Sequence, residues 1–242
     1  MRIAIAGGTG VVGSRVVRLA EEAGHETLVL SRSRGVDLAA GSGLDLQGVD
    51  AVVDASGPAT TSAAKSRTFF EAVTGGLLRA EADAGVAHHI ALSIVGAAGI
   101  ARGYYAGKAL QEQVIAASGR PWTILRTTQF FEFAEQNAMA LGPWRILPRM
   151  RSRPLAAETV AERLLEIAEG PPLGDAPDLA GPDEFGMAEL LREILRARGE
   201  RRRVLEVPLP GGFGRALRDG SILPGPEAEI RGPSAAEWIA AR

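Results

Sequence analysis

Both tyrosines of the chain, Tyr104 and Tyr105, stand beside one of its two lysines in the stretch GYYAGKALQEQ. The chain otherwise avoids lysine: of 27 basic residues only Lys65 and Lys108 are lysine, and 25 are arginine. If the stretch is helical, Tyr104 and Lys108, four residues apart, lie on one face and can reach a shared ligand. A phenol with an ordinary pKa of about 10 is a poor acid–base group near neutrality, and a neighbouring ammonium lowers that value by favouring phenolate. Tyr105, three residues from Lys108, fits the same helical face, so spacing alone leaves both tyrosines as candidates.

A second constellation opens the chain. In IAIAGGTGVVGSRVV, Gly7, Gly10 and Gly13 separate a strand-like run from a helical one. A backbone of this kind, from Gly7 through Thr9, Gly10, Val11 and Val12 to Gly13, turns tightly, approaches a pyrophosphate closely and packs its helix hard on the sheet. The first amides of the helix then face the phosphates. Gly8 also satisfies the tighter glycine spacing, so the motif does not choose among dinucleotide-binding families, and a plain tight turn is its bland alternative. The next strand-like run, ETLVLSRSRG, ends in Ser31 and Arg32, where an NAD site places a carboxylate for the ribose 2′-hydroxyl. A hydroxyl and a guanidinium fork suit a 2′-phosphate instead, so NADP is expected, with NAD possible. The alternative for Arg32 and Arg34 is a pair of solvated loop charges.

The elements that must position these groups follow from the pattern of apolar residues. Strand-like segments are Arg2 to Ala6, Glu26 to Leu30, Ala51 to Asp54, His89 to Leu92 and Thr123 to Leu125. Between them Val11 to Ala23, Lys65 to Ala84 and Tyr104 to Ala117 carry apolar residues at helical spacing, and Gly24, Gly85 and Gly119 sit at their ends. Continuous apolar strands are buried on both faces, so this rhythm predicts an α/β fold, a doubly wound parallel (Rossmann) sheet over residues 1–126. Residues 127–242 are expected to form a smaller C-terminal α+β lobe that packs on the core to cover substrate, the alternative being one domain overall. GPPLGDAPDLAGPDEFG at 170–186 reads as loop. Helices are expected at Ala157 to Glu169, Met187 to Arg198 and Ala235 to Ala241, and a strand at Val204 to Val207. Phe130, Phe131, Phe133 and Trp144 follow the last core strand; aromatics so spaced are commonly core, but that edge of an α/β sheet also binds ligands, and Phe130 and Phe131 are the candidate substrate-pocket residues.

Composition narrows the classes. With 46% hydrophobic and 23% charged residues the chain is an ordinary globular one, and a net charge of −2 disfavours nucleic acid and anionic membranes as partners. The run RARGERRR at 196–203 is interrupted by Glu200 and reads as a solvated helix end. There is no cysteine, so no thiolate chemistry, and His25, His88 and His89 do not form a metal-ligand pattern; no metal is expected. The start of the chain lacks a secretory pattern and no run of 18 apolar residues occurs, so the cytoplasm is the expected location.

These residues resemble the short-chain dehydrogenase/reductase proteins, specifically the atypical NmrA-like branch. The resemblance covers nearly the whole chain and is carried by GGTGVVG at the first turn, the basic residue after the second strand, VVDASGP at the fourth, LSIVG at the fifth and YYAGKALQEQVIAASGRPWTILRTTQFFEF through the sixth. It implies that Tyr104 and Lys108 are the family's Tyr-x-x-x-Lys and that Ser93 is its strand-end serine. It implies further that Asp54, Ala55, Ser56 and Gly57 line the adenosine side and that the loop from Thr127 passes the nicotinamide. Tyr104 would then give a proton to a substrate carbonyl that Ser93 hydrogen-bonds, while Lys108 holds the nicotinamide ribose and acidifies the phenol.

Two function classes follow. One is an NADP-dependent oxidoreductase reducing a small, apolar carbonyl or quinone; the other is a non-catalytic NAD(P)-binding redox sensor. A nucleotide-sugar epimerase is disfavoured, because about 116 residues beyond Arg126 leave a small lobe for such a substrate. The partner is thus a small molecule, and substrate, direction and oligomeric state are not encoded in any pattern found.

Overall fold

The computed structural model describes residues 1–242, which divide by internal contacts into two units. The first unit comprises Met1–Arg126 and Val160–Ala176; the second comprises Thr127–Thr159 and Pro177–Arg242. In chain order the elements are β1 (Arg2–Ala6), α1 (Gly13–Glu22), β2 (Glu26–Leu30), β3 (Ala51–Asp54), α2 (Ala63–Ala84), β4 (His88–Ile94), α3 (Gly103–Ala116), β5 (Trp122–Thr127), α4 (Phe131–Gln136), β6 (Met139–Leu141), β7 (Trp144–Pro148), β8 (Arg151–Ser152), α5 (Ala157–Glu169), β9 (Gly174–Asp175), β10 (Leu179–Ala180), β11 (Phe185–Gly186), α6 (Met187–Ala197), β12 (Arg203–Val207), α7 (Gly211–Asp219), β13 (Glu229–Ile230) and α8 (Ala235–Ala240). No helix is long and apolar enough to cross a membrane.

The core of the first unit is a parallel sheet in the order β5-β4-β3-β1-β2. Its strands are apolar on both faces because helices cover both. Ala4, Ala6 and Val52 pack with Val73 and Leu77 of α2 on one face. On the other, Gly8 brings α1 in close, with Val17 and Val29 side chains within 3.3 Å of where a Cβ would sit. This alternation across each strand makes the sheet doubly wound. α2 begins at a Ser62 cap and stops at Gly85, whose φ of +72° lies in the left-handed region. α3 packs on α2 at Gly107, where a Cβ would overlap the Ser66 hydroxyl and come within 2.6 Å of the Phe70 ring.

Two expectations need correcting. The ordinal count implied by the resemblance is one strand too high: Gly35 to Asp50 forms turns with a single bridge between Asp37 and Ser42, so VVDASGP ends the third strand and LSIVG the fourth. The stretch 170–186 is also not all loop. Gly174–Asp175 forms β9 parallel to β5, and Leu173 N–H donates to the Thr123 hydroxyl at 2.9 Å, which returns Val160–Ala176 to the first unit.

In the second unit Leu179 pairs with Thr127 and β10 with β13, all parallel. β6, β7 and β12 make a three-stranded sheet and β8 pairs with β11. Phe131 is fully buried and lies 4.8 Å from Trp238, which in turn carries the Arg242 guanidinium 3.9 Å above its ring. A Ser234–Glu237 capping box starts α8, the helix that carries Trp238.

Candidate active site

The opening turn is built around carbonyl oxygens that leave no room for side chains. Gly7 takes φ +74°, its N–H donates to Leu30 O at 3.1 Å, and its carbonyl accepts the Gly10 N–H at 2.8 Å. A Cβ on Gly13 would overlap that same carbonyl, and one on Gly7 would stand 2.9 Å from the Ala55 oxygen and the Ser56 Cα. The turn therefore presses against the loop after β3, and α1 starts with no side chain capping its first amides. Beside it the Ser56 hydroxyl is buried without a hydrogen-bond partner. A glycine cradle, uncapped amides and an orphan hydroxyl fit the diphosphate and ribose of a dinucleotide.

At the end of β2, Ser31 is extended and buried and its hydroxyl meets that of Ser33 at 3.0 Å. Arg32 to Arg34 form one short helical turn closed by Gly35 at φ +80°, with both arginines exposed. No carboxylate follows β2 before Asp37.

Tyr104 and Lys108 both belong to α3. The Tyr104 hydroxyl lies so close to Gly57 that a Cβ there would overlap it, which sets the phenol against the β3 loop. The Tyr104 carbonyl accepts from Ser66 at 3.1 Å and its ring meets Phe70 edge-on at 5.5 Å, so α2 fixes it from behind. Tyr105, the other candidate by spacing, is buried. Burial pushes the Tyr104 phenol well above its ordinary range, and the negative charge of Asp54 pushes it further. This corrects the expectation of an acidified phenol: the Lys108 ammonium is 6.0 Å from the ring centroid, and desolvation of a phenolate dominates.

Lys108 is 2% exposed. Its ammonium donates to Leu92 O at 2.6 Å and to Gln111 Oε1 at 2.7 Å, under a Phe70 ring 4.3 Å away. Of its three N–H donors, one remains for a ribose or substrate hydroxyl. Burial pulls its pKa down to about 8 against the attraction of Asp54 and Glu112. Gln111 passes the contact on, its amide N–H donating to Asp54 Oδ2 at 2.8 Å, while Asp54 Oδ1 accepts the Ser56 N–H at 2.9 Å.

Ser93 is placed differently from its expected role. Its hydroxyl donates to Glu112 Oε1 at 2.5 Å, and Arg126 clamps the same carboxylate with contacts of 2.8 to 3.1 Å. A side chain committed to a buried ion pair is not presented to a substrate oxygen. Phe131 is likewise a core residue of the second unit in place of the pocket residue expected, whereas Phe130 is half-buried. His88 and His89 serve separate partners, Thr123 at 2.8 Å and Glu81 at 2.7 Å. Reading the residues alone missed Gln111, Glu112, Arg126 and Phe70; the only available signal was the position of Gln111 and Glu112, three and four residues after Lys108.

No family model and no curated protein matches the sequence. Solved structures do match in fold. A nucleoside-diphosphate-sugar epimerase from Staphylococcus aureus has a TM-score of 0.69 at 16% identity, covering 99% of each chain. UDP-glucose 4-epimerase from Bifidobacterium longum, in complex with NAD+ and UDP, has a TM-score of 0.71 at 13% identity over 99% of this chain and 92% of that one. An NADPH-dependent quinone oxidoreductase from Escherichia coli has a TM-score of 0.64 at 17% identity over 99% and 98%. The chain thus has the Rossmann fold common to these nucleotide-binding epimerases and reductases.

Proposed function

We propose that the protein is an NADP-dependent oxidoreductase that reduces a small apolar carbonyl or quinone. The observation that carries this reading is the Tyr104 phenol seated on Gly57, beside the glycine cradle and one helical turn from a buried Lys108. Gly7 to Gly13 would hold the diphosphate, Ser56 a ribose hydroxyl, and Ser31 with Arg32 a 2′-phosphate. The nicotinamide cofactor would supply the hydride. Tyr104 would give its proton to the oxygen of the substrate, and a phenol kept protonated by burial suits a donor rather than a base. Lys108 would offer its remaining N–H beside the phenol and stabilise negative charge there as the proton leaves. The match to a quinone oxidoreductase over nearly its full length supports this substrate class.

The alternative of a dinucleotide sensor is favoured by one observation: Ser93, which the resemblance makes a catalytic hydroxyl, is taken by Glu112. Oxidation of NADPH by a panel of quinones, aldehydes and ketones, with NADH alongside, separates the two. Turnover with NADPH that falls about 100-fold or more in Tyr104→Phe, at unchanged nucleotide affinity, is the expected result. No turnover across the panel would leave the sensor, and preference for NADH would overturn the role of Arg32. The small second lobe does not disfavour an epimerase, since the Staphylococcus aureus epimerase is matched over 99% of its length; sugar interconversion without net nucleotide oxidation would reveal that activity.

A further inference from the structure

Lys108 is buried with no carboxylate among its hydrogen-bond partners, which are a backbone carbonyl and an amide. The nearest fixed anion along the network is Asp54, fully buried at the end of β3, and Gln111, also fully buried, stands between them. The orientation of that amide is dictated from both ends. Its oxygen must face the ammonium, which has only donors, and its nitrogen must face the carboxylate, which has only acceptors. Rotating the amide by half a turn would oppose donor to donor and acceptor to acceptor.

From this geometry we infer that Gln111 and Asp54 are a positioning pair: the amide relays the Asp54 charge to Lys108 and thereby sets the position and protonation of the ammonium beside Tyr104. The inference deepens the oxidoreductase reading and rests on it for the role of Tyr104. A carboxylate in direct contact would favour the charged form of Lys108 far more strongly; one amide between the charges weakens that hold and leaves the ammonium titratable. The charged and titratable groups around Lys108 are Tyr104 and Glu112 on its own helix and Asp54 on β3, with Arg126 of β5 behind Glu112; the neighbour from α2 is the Phe70 ring. Burial pulls Lys108 down to about 8 and Asp54 is the first charge opposing that fall.

Asp54→Asn reverses the polarity of the chain. The substituted amide can accept from Ser56 N–H with its oxygen, and its NH2 then faces Gln111, which satisfies it only by turning its own oxygen inward. The Gln111 NH2 would then point at Lys108, which can accept a hydrogen bond only as a neutral amine. Both the lost charge and the reversed amide favour neutral Lys108.

With only two lysines in the chain, the test is direct. Full-length protein labelled with [13C]-lysine and titrated by NMR gives two side-chain Cε signals, with exposed Lys65 as internal reference and Lys65→Arg for assignment. The Lys108 titration is expected to move down by about one pH unit or more in Asp54→Asn, and in the same direction in Gln111→Met, which removes the acceptor and guards against misfolding of the first variant. In turnover, the alkaline limb of the kcat profile should move with it, which a merely structural role would not produce. Titrations of Lys108 that coincide in wild type and both variants overturn the relay. The NMR titration decides the relay and the turnover assay decides the oxidoreductase, so a shifted Lys108 in a protein without turnover would sink the second and leave the first.

Discussion

Two buried networks hang from the same turn of α3, one residue apart, and they treat charge in opposite ways. Glu112 meets Arg126 directly through a two-pronged contact, with Ser93 on one oxygen and Asp175 sharing the Arg126 Nη2. Gln111 meets Lys108 and Asp54 with an amide between the charges. For Arg126, burial works against the charge, but the hydrogen bonds and charges of Glu112 and Asp175 together outweigh it and hold its pKa above the ordinary value. For Lys108 burial wins and the ammonium is weakened. The first network is closed and satisfied, as a structural ion pair should be; the second stores a group near its titration point next to a phenol. A polar cluster in a sheet-helix interface is thus read by how its charges are joined, not by how many it contains.

The largest test of that difference is Lys108→Met. It should lower turnover about 100-fold or more while changing stability by no more than about 1 kcal/mol, because the desolvation cost removed offsets the two acceptors left unpaired. Steady-state kinetics beside urea unfolding measures both. Glu112→Ala should do the reverse: a loss of about 2 kcal/mol of stability from a half-buried Arg126 left with Asp175 as its one carboxylate and a Ser93 hydroxyl left without its acceptor, with turnover per folded molecule retained. A Glu112→Ala protein that is stable but inactive would merge the two networks into one.

The pH dependence of folding supplies a third test. Lys108 falls from an ordinary 10.5 to about 8 in the folded state, so between those values the unfolded chain holds a proton that the folded chain lacks. Unfolding free energy should therefore gain a rising contribution as pH goes from about 8 to about 10, approaching 2 to 3 kcal/mol, and Lys108→Met should lack it. Denaturant midpoints across that window compare the two slopes. The smallest effect belongs to Ser93→Ala, about 1 kcal/mol of stability and less than a threefold change in turnover. A large kinetic loss in Ser93→Ala with Glu112 unaffected would restore the serine to the chemistry.

The parts of this arrangement legible in the sequence are those that depend on local spacing. Gly7 to Gly13 between a strand and a helix, and Tyr104 four residues before Lys108, need no knowledge of distant partners. The central strands could be read because parallel strands covered on both faces are continuous apolar runs. What could not be read depends on register and on face. Ser93 lies one residue before the end of its strand, and which side of the sheet its hydroxyl takes turns on a one-residue alternation that no local pattern declares. Asp54 and Gln111 are 57 positions apart and meet only because β3 and α3 are laid side by side. The two-residue strands β8 to β11 are too short for any alternation to show, so the stretch 170–186 reads as loop although it holds three of them.

The return of Val160–Ala176 to the first unit has a practical corollary. The backbone passes between the units three times, so a fragment ending at Arg126 would lose α5 and the short strand that borders β5, baring a sheet edge ready to pair with other chains. The first unit is not severable at its most obvious seam, and any attempt to graft or exchange the second must carry that returning segment along with the unit it completes.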